Sequence, residues 1–274
     1  MRERIRKASV AGTFYPETPQ VLRDEIEQLL RQCGGHAGAG RVKGLVVPHA
    51  GYLYSGLTAA HGYCQVRNGT YDAVIIIGPS HRECFDGVSV FDGTAYETPL
   101  GLAHVETRVA AALAESGGSV EMSSRGHGME HSVEVQIPFL QVVLPGVRIV
   151  PVIMGSQRKE LCLELGCSLR NIMSGRNVLV IASTDLSHYH QEEEAERLDR
   201  VMVTNIRRHD YLRLLDDLET GRTEACGGGP AVALLSALSR QGGRPMDILH
   251  YATSGDVTGG RDSVVGYLSA AAYA

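Results

Sequence analysis

No apolar run in this chain approaches the ~20 residues of a membrane-spanning helix. The opening stretch "MRERIRKASVAGTFYP" is charged but leads into no apolar h-region, so no secretory signal is expected. The six cysteines stand at 33, 64, 84, 162, 167 and 226, without a CxxC or paired spacing. That spread argues for free thiols in a reducing compartment rather than a disulfide framework. No basic stripe accompanies the net charge of −5, which speaks against a nucleic-acid partner. Internal repeats and long low-complexity linkers are absent as well. A cytoplasmic, soluble protein is therefore expected, with no membrane association.

What is present is a 274-residue chain with 43% hydrophobic content. A single domain of that size buries roughly 75% of its unfolded surface and needs no structural metal to fold. One domain over 1–274 is expected. "TPQVLRDEIEQLLRQC" reads as a helix, with Thr18 at the cap, Pro19 at N1 and an apolar stripe of Val21, Leu22, Ile26, Leu29 and Leu30. "CGGHAGAG" (33–40) follows as a flexible connection.

Four Val/Ile-rich runs read as inner strands: 44–48, 73–78, 148–155 and 178–183. They do not alternate with polar residues, as expected when helices cover both faces of a sheet. Helical stretches are expected at about 56–66, 104–115, 131–143, 157–173 and 192–210. Two further strands close the chain. The pattern predicts a three-layer α/β/α sandwich.

Three of the inner strands end at a histidine. "GLVVPHAGYLYSG" breaks at Pro48-His49, "AVIIIGPSHRE" at Gly78-Pro79 before His81, and "VLVIASTDLSHYH" leads to Asp185 and His188. Proline ends a strand by removing a donor and holding its predecessor extended. Ligand sites of open α/β sheets gather beyond the carboxyl ends of the strands. Parallel neighbours would therefore bring His49, His81 and His188 to one edge. A metal site needs a further ligand, for which Asp185, Glu130, Glu134 and a cysteine are candidates. In "EACGGGPAVALLSAL", Cys226 precedes three glycines and an apolar helix, where positive potential would favour its thiolate. "GHGMEHSVEVQIPFL" adds Glu130, His131 and Glu134 at a helix start, expected to support the pocket, with Ser132 as a cap. Ser55 is expected to cap the helix after "HAGYLYSG", and Tyr52 to be packed.

Together "GTFYP", "VVPHAGYLYSG", "IIIGPSHRE", "EHSVEVQIPFL", "IASTDLSHY", "ACGGGPAVALL" and "SGDVTGGRDSVVGY" resemble the Memo family, whose bacterial and archaeal members are called AmmeMemoRadiSam system protein B. The resemblance runs nearly end to end. It implies a fold like that of class III extradiol dioxygenases, which are non-haem Fe(II) enzymes. It also implies a metal site of His49, His81 and Cys226, with Asp185 and His188 as catalytic residues and Tyr54 and His131 in the substrate pocket. Cys226 stands where the dioxygenases use a carboxylate, a departure that weighs against catechol ring cleavage.

The function implied is a metal-dependent, dioxygenase-like oxidoreductase acting on a small substrate. Fe(II) is the expected metal, with Cu or Zn as competitors because soft sulfur suits them. His188 would move the proton, oriented by Asp185. A module that binds a peptide or small ligand in the same cleft is the alternative, since a Memo relative is implicated in phosphopeptide binding and cell motility. A Zn hydrolase is a third reading, without an HExxH motif to support it. The family name further implies a pathway association with AMMECR1-like and radical SAM proteins.

Overall fold

The computed structural model describes residues 4–34, 40–115, 118–239 and 245–274. The flexible connection expected over 33–40, with His36, lies largely outside the described residues.

The chain begins with β1 (Ile5–Arg6), α1 (Pro19–Gln32), β2 (Val42–Val47), α2 (Tyr52–Cys64) and β3 (Ala73–Pro79). The short strands β4 (Val88–Phe91), β5 (Ala95–Thr98) and β6 (Gly101–His104) precede α3 (Thr107–Ala114) and β7 (Val120–Ser123). A single 3-10 turn, Glu134–Gln136, runs into α4 (Ile137–Val143), followed by β8 (Ile149–Met154), α5 (Lys159–Gly175), β9 (Val178–Ser183) and β10 (His188–His190). The C-terminal third holds α6 (Glu192–Arg208), α7 (Tyr211–Glu219), α8 (Gly228–Leu238), β11 (Asp247–Thr253), α9 (Gly255–Thr258) and β12 (Val264–Tyr273).

The main sheet runs β10-β12-β2-β9-β3-β8-β4-β7, with β11 also paired to β12. Its centre, β2-β9-β3-β8, is parallel. These are the four strands read from the apolar runs, and every residue in them is buried. Each fully buried Ile of the 75–77 run stabilises the fold by about 1.5–3 kcal/mol relative to exposure. Helices α1, α2 and α4 pack on one another over one face. Helices α3, α5, α7 and α8 cover the other, joined by α6 through α7, which gives the α/β/α sandwich. No helix among the described residues is long and apolar enough to cross a membrane.

Several elements lay beyond the periodicity argument. The strands β4 to β7 have four residues each, too few to display a period, and β1, β5 and β6 form a separate three-stranded sheet. Helix α7 was likewise unforeseen. The expected helix at 131–143 starts only at the 3-10 turn, because the backbone amides of His131 and Ser132 bond to the Glu130 carboxylate. Ser132 does not cap it; its hydroxyl donates to Pro79 O. Ser55 lies inside α2, which starts three residues earlier, and its hydroxyl donates to Ala50 O. Thr18 occupies the N-cap of α1 without a side-chain capping bond.

Because β2, β9 and β3 are parallel neighbours, their carboxyl ends open on one edge. The loops carrying His49, Asp185 and His81 all leave from there. Gly78, near the end of β3, lets the side chain of Ser132 lie where a Cβ would sit. Gly227 does the same for the Ser183 carbonyl and Thr184, drawing the segment after Cys226 against the end of β9.

Candidate metal centre

A cavity of about 660 Å³ opens at this edge. His49, His81, His131, Asp185, His188 and Cys226 all line it. The size falls in the range of small-ligand sites, roughly 300–1,000 Å³.

His49 is buried, and its ring is locked by a chain of hydrogen bonds. The Ser183 hydroxyl donates to Ser132 O at 2.6 Å. Ser183 Oγ also accepts from Gln136 Nε2 at 2.8 Å. Gln136 cannot be turned round, since its Nε2 also donates to Pro48 O and its Oε1 accepts from the Tyr63 hydroxyl. Ser183 Oγ has thus given its only proton, so His49 Nδ1, 2.9 Å away, must be the donor. The Nε2 lone pair is left facing the cavity, 3.1 Å from Cys226 Sγ. Burial, then the His81 and His131 rings, lower the His49 pKa, keeping it neutral as a ligand requires.

His81 is held by the same logic. Its Nδ1 lies 2.9 Å from Glu130 Oε1, a buried carboxylate. Burial acts to raise the Glu130 pKa, but hydrogen bonds from the His81 ring and from the amides of His81 and Ser132 outweigh it and bring it down to about 2. An ionised carboxylate only accepts, so Nδ1–H donates and Nε2 is free. Carboxylate or hydroxyl partners behind a histidine are the usual supports of a metal ligand.

His131 stacks on His81 with ring centroids 4.8 Å apart and stands edge-on to His49 at 5.5 Å. Its Nδ1 is buried without a hydrogen-bond partner, 3.3 Å from Glu130 Oε1. Burial, only partly offset by Glu130, lowers the His131 pKa to about 4.

Asp185 Oδ1 accepts from the His49 amide at 2.8 Å. Burial raises its pKa to about 6 against the opposing amide bonds from His49 and Ala50. Its carboxylate therefore holds the His49 turn, rather than orienting the His188 ring as expected. His188 sits on the edge strand β10, paired with β12, and its ring bonds to the Leu186 backbone. Cys226 corrects a second expectation. Burial, and then the Asp185 carboxylate, push its thiol pKa up, and the bonds from Thr184 and the Gly227 amide only partly compensate. Its ionisation therefore calls for a nearby cation.

Among the described residues, two sets of donor atoms each lie within 4.8 Å of one another: His49, His81 and His131, and His49, Asp185 and Cys226. His49 is common to both, and neither set holds His81 and Cys226 together. Two fixed imidazole lone pairs, an unpartnered buried ring nitrogen, a thiol and a carboxylate around one cavity are a donor set that fits a transition metal ion.

Tyr54 stands beside the wall residue Tyr267, whose pKa it helps to raise. It is 40% exposed on the first turn of α2 and absent from the cavity wall. Tyr267, buried at the wall, takes an aromatic place there, together with Phe14 and Tyr189. Phe14 and Tyr267 stand in the "GTFYP" and "SVVGY" segments, but nothing in their spacing marks them as wall residues. Arg82 also lines the cavity; it is exposed and has no ion pair among the described residues. Glu134 lies away from the cavity, buried against Arg6, Ser9 and Tyr15. The tyrosine Tyr52 is packed, as expected, with its hydroxyl on Val135 O.

A family model described as Memo-like protein matches residues 6–271. A MEMO1 family protein of Methanothermobacter thermautotrophicus is 39% identical over 276 residues, covering 96% of this chain and 98% of the relative. A MEMO1 family protein of Methanopyrus kandleri is 37% identical over 273 residues, 96% of each chain. Among solved structures, an uncharacterized protein from Escherichia coli K12 aligns with a TM-score of 0.50 over 83% of this chain and 99% of its own, at 15% identity. That likeness concerns the fold alone.

Proposed function

The chain belongs to the Memo family, and from that premise we propose that it is a metal-dependent oxidoreductase, with iron held by His49, His81 and Cys226. The single observation that carries this reading is the locked His49 ring, whose free Nε2 faces Cys226 Sγ across 3.1 Å. An Fe(II) ion there would supply open coordination positions for a small oxidant and a chelating substrate. The protein's own residues do the rest. Ser183 and Glu130 fix the two imidazoles in their ligating tautomers. Asp185 holds the His49 turn through its backbone amides. His188, bonded on one side to Leu186, keeps a ring nitrogen free to take up a proton at the cavity. Phe14, Tyr189 and Tyr267 offer an apolar wall, and among the described residues Arg82 is the one arginine or lysine lining it. These features suit a small ligand with an unsaturated or apolar body and an anionic group.

Metal analysis of anaerobically purified protein tests the reading. Near-stoichiometric metal, lost in His49→Ala and reduced in Cys226→Ser, is expected. A chain that takes up neither iron, copper nor zinc overturns it. Zinc-loaded protein that hydrolyses ester or amide substrates, with no oxidation by the iron form, would replace the oxidoreductase reading with a hydrolase.

A further inference from the structure

Tyr189 lines the metal-centre cavity, yet its side chain is 77% exposed. Its backbone lies in the left-handed region, with φ at 64°. Among the described residues, the other non-glycine residues there are Asn68 and His209. Asparagine tolerates that region, and His209 caps the C-terminus of α6. Tyr189 has neither reason. A bulky L-residue is disfavoured there, because its Cβ crowds the following carbonyl.

The strand pairing forces this conformation. His188 pairs with Val265 and His190 with Val264, so Tyr189 is an extra residue that bulges from β10. The chain on both sides is pinned to the segment that pairs with it. Leu186 N donates to Gly266 O, and Glu192 N donates to Arg261 O. His190 Nε2 lies 2.8 Å from Glu224 Oε2, which ties the bulge to the segment just before Cys226. Glycine or asparagine would relieve the backbone, and a polar side chain would suit the exposure. Neither core packing nor backbone preference accounts for a tyrosine here. Strained residues of this kind cluster at ligand sites.

The neighbours of the ring are aromatic. It meets the His188 ring at 66° with centroids 5.7 Å apart. It lies near the buried Tyr267, whose pKa burial, Asp185, Tyr54 and Tyr189 together raise. Phe14, packed on His131 with centroids 4.7 Å apart, lines the same cavity.

Resting on the proposed iron site of His49, His81 and Cys226, we propose that Tyr189 is a specificity-determining residue whose ring stacks on the flat face of the metal-bound ligand, selecting planar unsaturated carboxylates over their saturated counterparts.

The chemistry of the wall divides the work. Arg82 lines the cavity and offers its guanidinium to the carboxylate. An aromatic face packs closely on another flat π-system in an offset stack, whereas the ring hydrogens of a puckered body hold it away. The stack needs the ring and not the hydroxyl. It also takes the exposed Tyr189 ring out of water, a gain made only in the complex.

The test uses the full chain loaded anaerobically with iron and titrated by calorimetry with two probes. Picolinate is a flat aromatic chelator. Pipecolate offers the same nitrogen and carboxylate donors on a saturated ring. The readout is the change in each affinity between wild type and variant, which cancels the different basicity of the two nitrogens. Tyr189→Leu is expected to lose picolinate affinity by about 3–10-fold, the range of an aromatic pair, with pipecolate affinity as in wild type. Tyr189→Phe retains picolinate. Tyr189→Gly suits the positive φ, so it melts no lower than wild type while losing picolinate in the same way; a purely structural tyrosine would lose stability on truncation. Metal content is unchanged in all three variants. Failure of picolinate to bind the loaded wild type, unchanged picolinate affinity in Tyr189→Leu, or an equal loss of both probes overturns the stacking role with the iron site intact. A chain that takes up no metal overturns the iron site and this role with it.

Discussion

Ser183→Ala isolates the claim that hydrogen bonds behind His49 make it a ligand. Ser183 is fully buried and is not itself a donor to the cavity. Its hydroxyl serves three partners: His49 Nδ1, Gln136 Nε2 and Ser132 O. Gln136 keeps Pro48 O after the substitution, so the groups left without that partner are the His49 N–H and the Ser132 carbonyl. A buried polar group left unpaired costs about 1–3 kcal/mol, so with two such groups the metal-free variant loses about 2–6 kcal/mol in denaturant titration. The ring is also released to rotate and to switch tautomer. Loss of such a support weakens metal binding by about 10–100-fold, measured by competition with a chelator of known affinity. A variant that folds and binds metal as tightly as wild type would refute the tautomer argument.

Three other outcomes follow from the same geometry. Glu130 has a folded-state pKa below its ordinary value, so it contributes stability above pH 4.5 that disappears as pH falls toward about 2; Glu130→Gln flattens that acid limb in pH-dependent denaturation and loosens His81. Arg6→Met leaves the fully buried Glu134 carboxylate without its ion-pair partner, which costs about 3–5 kcal/mol in thermal or chemical unfolding; adding Glu134→Leu does not rescue it, because the Ser9 and Val10 amides and the Tyr15 hydroxyl then lose their acceptor. Arg82→Ala leaves metal content unchanged but weakens binding of an anionic chelating ligand several-fold in calorimetry, whereas a neutral chelator binds as before.

The inner sheet was legible because β2, β3, β8 and β9 are long enough to display apolar runs without alternation. Short strands such as β4 and β7 carry no such signature, and their pairing is set by tertiary packing. His49, His81 and Cys226 stood out by their places after strands and before a glycine-rich helix start. The supports behind them did not. Nothing in the sequence ties Ser183 to His49, 134 residues away, or reveals that the Asp185 carboxylate turns to the His49 backbone. Helix position alone also misjudged Cys226, because burial and a neighbouring carboxylate outweigh the potential of the helix N-terminus. Tyr54, on the first turn of α2, is 40% exposed and lies close enough to the wall residue Tyr267 to help raise its pKa, a placement its motif alone does not give.

X-ray absorption on the iron-reconstituted protein addresses the central claim most directly. A sulfur scatterer at about 2.3 Å together with imidazole nitrogens, the sulfur lost in Cys226→Ser with iron still bound, is the predicted result. An all-nitrogen and oxygen coordination sphere in the wild-type protein would contradict it.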